Sequence, residues 1–473
     1  MAMGLKGGLT GVKAVLKDAI PGAFRSHAKL TDARLGVEVD RSKCAIALDG
    51  NVLMMAVPQT ATTFDQYCHV VFGFVRDAVS AGALVVVVFD EPDAVSKAKQ
   101  CEQRKRDSVY AKKKVTCSSD VVLHPTSDAY GVDLLRSLAN VHVLKENRAT
   151  RMRFYDAVMS AVYSRITDKM RGWAKSGHDA GNIIIDGADP RGALRPSDEA
   201  RTASVYGTSD ALAAELNDRP SSIGEGDLKL QYVADKIRGA HDQPCSVLRA
   251  FTLVLQVTID TDCIAISLTS EAKERVARGG AHFGCSGVHS VLAMRERSTK
   301  NEASCYTCVD VSLLEANLQR LFWGVPPKAP SQLQMAGAVC LAVAGMICSG
   351  CDFVSLKGAR FDHFFTALPG LVRLNPEICE SLYNEIDNPV LPTSLAMQNV
   401  RALCAGVATF MHQLPRYKKQ SGLVKGADDE SLKRVLWTLT YWKSAEPKNT
   451  EDWGFSYEDE LASVWCAEGS SQA

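Results

Sequence analysis

The chain has 473 residues, 46% of them hydrophobic, enough to bury a large core spread over about two or three domains. Its 54 basic residues balance its 54 acidic ones, so attraction to a polyanion has to come from a local patch and not from net charge. The 15 cysteines follow no secreted-domain spacing and the start, "MAMGLKGGLTGVKAVLKDAI", has no signal-peptide core. Both features point to an intracellular protein with reduced thiols, in the cytoplasm or nucleus.

Residues 40–95 alternate in type. "KCAIALDG" (43–50) reads as a strand, "TFDQYCHVVFGFVRDAVSAG" (63–82) as an amphipathic helix and "ALVVVVFDEP" (83–92) as a fully buried strand. Strand, helix, strand with near-continuous Val and Ile predicts an α/β three-layer sandwich around a mainly parallel sheet. Residues 96–116 are strongly basic, and 151–173 read as one helix with Phe154, Val158, Val162, Ile166 and Met170 on a stripe. "NIIIDG" (182–187) is a further strand, and 188–222, rich in Pro, Ser, Asp and Arg, reads as an inserted loop.

A helix starts after Gly224, a strand follows in "LVLQVTIDTDCIAISL" (253–268), and 311–323 and 334–353 read as helical. The apolar run 335–350 is alanine-rich and too short to span a bilayer, so no membrane partner is expected. The chain thus divides into 1–187, the insert 188–222, a segment 223–380 and a helical C-terminal region 381–473 with a polar tail.

The first strand ends on an acid, Asp49, and others arrive in the same way. "VVVVFDEP" ends on Asp90, and "TIDTDCI" puts Asp260 and Asp262 at or just beyond the end of an apolar run. "IGEGDLKL" sets Glu225 and Asp227 at a helix start, and "SGCDF" sets Asp352 after a packed helix. Open parallel sheets bind ligands outside the carboxyl ends of their strands. Seven carboxylates gathered there cannot all stay ionised without cations. Hard divalent ions such as Mg²⁺ or Mn²⁺ take oxygen ligands, and phosphate chemistry suits a two-ion site. Taken singly, each Asp has a plainer role as a helix N-cap or turn former.

The ordered set "LDGN", "VFDEP", "GEGDLK", "DTD" and "GCDF" resembles the catalytic series of the 5′-nuclease superfamily, which includes flap endonucleases and Xrn-type 5′→3′ exoribonucleases. The resemblance runs from about residue 4 to 365. It implies a PIN-like core built from 1–187 and 223–380. It also implies two Mg²⁺ or Mn²⁺ ions held by Asp49, Asp90, Glu225, Asp227, Asp260, Asp262 and Asp352, and a monomer that hydrolyses phosphodiester bonds in single-stranded RNA or 5′-flap DNA. "DGN", "GEGDLK", "AKQCEQRKR" (98–106) and "GCDF" are similar to motifs of the Xrn branch, and "VLWTLTYW" (435–442) is faintly similar to its aromatic C-terminal part. "MGLKGGL" and "SLKGAR" (355–360) resemble flap-endonuclease features. More of the details lie on the Xrn side. Met55 departs from that branch's base-stacking histidine, and Asp227 from its glutamate.

Lys97 and Arg104 stand about two helical turns apart and so face one way, matching the gateway residues of flap endonucleases. Lys99, Gln103 and Arg106 match the Xrn motif that forms a pocket for a 5′-monophosphate; an Arg fork and a Lys point charge suit such a group. The plainer reading of this run is a solvated charged helix. Cys305-x-x-Cys308 and Cys348-x-x-Cys351 have zinc-ligand spacing but lack knuckle glycines, and read as buried thiols. Trp437, Trp442 and Trp453 read as core of the C-terminal helices. Two readings without catalysis stay open: an inactive nucleic-acid-binding scaffold and a zinc-stabilised interaction protein.

Overall fold

The computed structural model describes residues 11–90, 135–145, 148–177, 180–186, 205–220, 223–279, 287–296, 305–324, 330–351, 354, 356, 360–387, 394–413 and 427–444. Its strands are β1 (Phe24–His27), β2 (Cys44–Asp49), β3 (Leu84–Val88), β4 (Asn182–Asp186), β5 (Val205–Gly207), β6 (Leu253–Thr258), β7 (His289–Arg295) and β8 (Tyr306–Asp310). They form one mixed sheet in the order β1-β8-β7-β6-β2-β3-β4-β5. The five inner strands, β7 to β4 in that order, run parallel. β8 runs antiparallel to both β1 and β7, and β5 antiparallel to β4.

Helices cover both faces. The strand residues alternate between two cores, as a period of two requires. Ile46, Leu48, Val85, Val87, Ile183 and Ile185 face one core, with α2 (Leu30–Leu35), α3 (Gly50–Met55), α4 (Phe64–Ala81) and α5 (Arg148–Lys175). Ala45, Ala47, Val86, Val88, Ile184 and Val254 face the other. That second face carries α1 (Val12–Ala19), α6 (Asp210–Asn217), α7 (Gly226–Ala240), α8 (Asp262–Ala277) and α9 (Val311–Trp323). The same core takes in α10 (Gln332–Ser349), α11 (Phe361–Leu374), α12 (Pro376–Asp387), α13 (Ser394–His412) and α14 (Asp429–Ser444). The C-terminal helices therefore pack into the core shared with the sheet.

The strand in 43–50 and the helices 63–82 and 151–173 stand as β2, α4 and α5; of 83–92, Leu84–Val88 is β3, and 91 and 92 lie outside the described residues. Thr63 starts α4 with a reciprocal capping box to Gln66, and the predicted stripe of α5 is buried. Three readings need correction. The stretch 188–222 carries β5, which pairs with the end of β4, and α6, whose start Ser209 caps through Leu212 N–H. The apolar run 253–268 is a strand only to Thr258. Asp260 N–H turns onto Thr258 Oγ1, Asp262 N–H turns onto Asp260 Oδ1, and α8 begins.

The run read as too short to cross a bilayer belongs to α10, an 18-residue helix long and apolar enough to do so. Here it is the buried hub on which α8, α9 and α11 to α14 pack. A Cβ added at Gly337 of α10 would lie 1.8 Å from the Cys379 carbonyl oxygen, so α10 and α12 meet backbone to backbone. Gly337→Ala should lower the urea midpoint by the equivalent of at least about 1–3 kcal/mol, the cost of overpacking. Gly172→Ala, where a Cβ meets nothing within 4 Å, should gain about 0.5–1 kcal/mol on the same assay.

Candidate active site

Parallel register aligns the carboxyl ends of the central strands. Asp49 pairs with Val88, Val88 with Asp186, and Leu48 with Val257, so β2, β3, β4 and β6 stop at one edge. The connection out of β2 runs to α4 on one face and that out of β6 to α8 on the other. The crevice between β2 and β6 is therefore the place where an open sheet offers a pocket. Since Ala45 and Ala47 face α7 and α8, the two-residue period turns Asp49 the same way.

Each acid has a defined place there. Asp49 is buried, and its Oδ1 accepts from Asn51 N–H at 2.9 Å and Val52 N–H at 3.4 Å, capping α3. Asp90, two residues beyond β3, reaches the first turn of α7, where Gly226 N–H donates to its Oδ1 at 2.7 Å. Gly226 sits so close that an added Cβ would lie 3.3 Å from Asp90 Oδ1 and 3.9 Å from Asn51 Nδ2. Glu225, buried at the N-cap of α7, accepts at Oε1 from the Tyr441 hydroxyl at 2.9 Å. Asp227 accepts from Cys263 Sγ at 3.0 Å, and Asp260 and Asp262 are buried at the turn into α8.

Burial, and then the charge of Asp90, raise the Asp49 carboxyl from 3.8 to about 7; Asp260 pushes the same way and the Asn51 and Val52 N–H groups oppose. Burial, followed by the charges of Asp227 and Asp260, holds the Cys263 thiol well above its ordinary value. These effects link Asp49, Asp90, Asp260 and Asp227 in one electrostatic neighbourhood. Among the described residues, no three His, Cys, Asp or Glu side chains stand close enough together to hold a metal ion. Asp90, Glu225 and Asp227 each bond to a donor of the protein itself. Asp352 and the proposed phosphate ligands Lys97, Lys99, Gln103, Arg104 and Arg106 lie outside the described residues.

A further strand-end acid escaped the sequence reading, although "NIIIDG" carries the same signal as "IALDG". Asp186 ends β4 buried, but its carboxylate meets Lys229 Nζ at 2.9 Å and Arg219 Nη1 at 3.0 Å. Two cations neutralise this acid, whereas the charges acting most on Asp49 are both negative. Cys263 and Tyr441 lie within the quoted runs "TIDTDCI" and "VLWTLTYW", but their contacts with Asp227 and Glu225 were not foreseen. Of the two CxxC pairs only one member each is buried, Cys308 in β8 and Cys348 in α10, where it hydrogen-bonds Cys404 of α13; Cys305 is exposed and Cys351 half-buried, which corrects the reading of all four as buried thiols. Trp437 and Trp442 are buried in the core.

The chain matches no protein-family model and no curated protein.

Two outcomes follow from these charges. With Asp49 at about 7 when folded and near 3.8 when unfolded, the folded chain keeps a proton that the unfolded chain releases in that window. In a chelating buffer, the Asp49 contribution to stability should fall as pH rises from about 4 to about 7 and then level off, a change of at most about 4 kcal/mol. Asp49→Asn, still a competent N-cap, should flatten that slope in denaturant titrations and exceed the unmodified chain at pH 8. Lys229→Met, by leaving Asp186 short of one buried partner, should lower unfolding free energy by up to about 3–5 kcal/mol at pH 7.

Proposed function

We propose that the chain is a divalent-metal-dependent 5′→3′ nuclease with a PIN-like, three-layer 5′-nuclease core. Its reaction is hydrolysis of phosphodiester bonds, in the manner of an Xrn-type exoribonuclease acting on 5′-monophosphate RNA. The observation that carries the reading is the meeting of "LDGN", "VFDEP", "GEGDLK" and "DTD" at one sheet edge. Gly226 N–H lies on Asp90, and Asp90 and Asp260 both act on Asp49.

The donor chemistry fits Mg²⁺ or Mn²⁺, which take carboxylate oxygens. Asp49, Asp90, Glu225, Asp227, Asp260 and Asp262, with Asp352, are the residues that would hold two such ions. When bound, the cations would supply neutralising charge to the scissile phosphate and a water of lowered pKa. The chain's own parts have separate tasks. Asp90 fixes the start of α7 through Gly226, the sheet edge keeps the carboxylates in register, and burial of Asp49 keeps bulk water from screening them. Lys99, Gln103 and Arg106, with Lys97 and Arg104, seat the terminal phosphate in this reading. The partner is a nucleic acid, met inside the cell.

The test is cleavage with Mg²⁺ or Mn²⁺ of three substrates: 5′-monophosphate single-stranded RNA, the same RNA with a 5′-hydroxyl, and a 5′-flap DNA. Processive loss of the 5′-monophosphate RNA alone is the expected result, with Asp260→Asn slower by more than about 100-fold. Release of the flap would move the chain to the endonuclease branch. No metal-dependent cutting of any substrate would sink the enzymatic reading and leave a nucleic-acid-binding scaffold.

A further inference from the structure

Glu225 is held from an unexpected direction. Its neighbours in sequence belong to α7, but the hydroxyl that donates to its carboxylate comes from Tyr441, 216 residues away on α14. Both residues are buried. The Tyr441 ring stacks on Trp437 of the same helix, with centroids 5.2 Å apart and planes 24° apart, so the hydroxyl is presented by a fixed ring. As N-cap of α7, Glu225 makes no side-chain bond to that helix's own N–H groups. Its carboxylate faces away from the role its position would give it.

We infer that Tyr441 is a positioning residue: by fixing Glu225 Oε1, the C-terminal helix α14 completes the carboxylate site formed by β2, β3, α7 and α8. The inference rests on the proposed nuclease reading, in which Glu225 takes a cation. A hydrogen bond from a fixed ring restrains the swing of the carboxylate that receives it, the usual task of partners behind a metal ligand. The hydroxyl is well suited to it. Tyr→Phe deletes the donor and keeps the ring, so packing and positioning can be separated.

The experiment uses the full chain and Mn²⁺ as the probe, measuring Mn²⁺ affinity by electron paramagnetic resonance beside the melting temperature. Tyr441→Phe, Glu225→Gln and the double variant complete a cycle with the unmodified chain. Tyr441→Phe should melt within a few degrees of the unmodified chain yet bind Mn²⁺ about 10-fold more weakly, as loss of a supporting hydrogen bond does elsewhere. Glu225→Gln should weaken binding further, and adding Tyr441→Phe to it should change nothing more. Unchanged Mn²⁺ affinity in Tyr441→Phe, with Glu225→Gln impaired, would overturn the positioning role and leave the nuclease reading intact. Loss of folding in Tyr441→Phe would assign the hydroxyl to stability and overturn it equally. Unchanged binding in Glu225→Gln would remove Glu225 from the metal site, and the inference would fall with it.

Discussion

The parallel pairing of β2 with β3 on one side and β6 on the other is the constraint from which the site descends. Parallel neighbours end at the same edge, so acids written at the ends of separate apolar runs are brought together by register alone. Loops of ordinary length then finish the arrangement. The step from β3 to Asp90 and the turn from Thr258 to Asp262 each need only a few residues. The cost is electrostatic, since burial and repulsion together raise Asp49 to about 7. The capping bonds from Asn51 and Val52 N–H to Asp49 offset only a part of it.

Asp186 shows how the same edge treats an acid that serves structure. It ends a neighbouring parallel strand in the same register row, yet Lys229 and Arg219 neutralise it completely in geometry and in sign. Lys229 projects from α7, the helix whose first residues carry Glu225 and Asp227. One helix therefore brings acids to the crevice at its start and a cation to Asp186 a turn later. The contrast between two strand-end carboxylates, Asp186 answered by cations and Asp49 pressed by Asp90 and Asp260, is the physical basis for treating the crevice as a site.

Much of the fold was legible because the central strands are apolar throughout and the long helices have clear stripes, as β2, β3, α4 and α5 illustrate. The edge elements were not. β1 and β5 have three or four residues each and hold little apolar surface, so nothing in their composition separates them from loop. β7 precedes and β8 contains part of the Cys305-x-x-Cys308 stretch, which was read only for its cysteines. In the site, six of the seven acids are described, and each was visible as an acid ending an apolar run or starting a helix. The partners were not visible. Tyr441 reaches Glu225 across more than two hundred residues, and Cys263 reaches Asp227 between helices, distances that no local pattern encodes.

The apolar helix α10 has a consequence for how the chain is made. During synthesis it leaves the ribosome before α11 to α14, the helices that cover much of it. For that interval an 18-residue segment fit to enter a bilayer stands only partly sheltered, by α8 and α9. Exposed apolar surface of this kind is what makes incomplete chains stick to one another. A premature stop between residues 350 and 360 would thus release a product with its sheet already paired but its hub uncovered, a substrate for aggregation and degradation more than a shortened version of the protein.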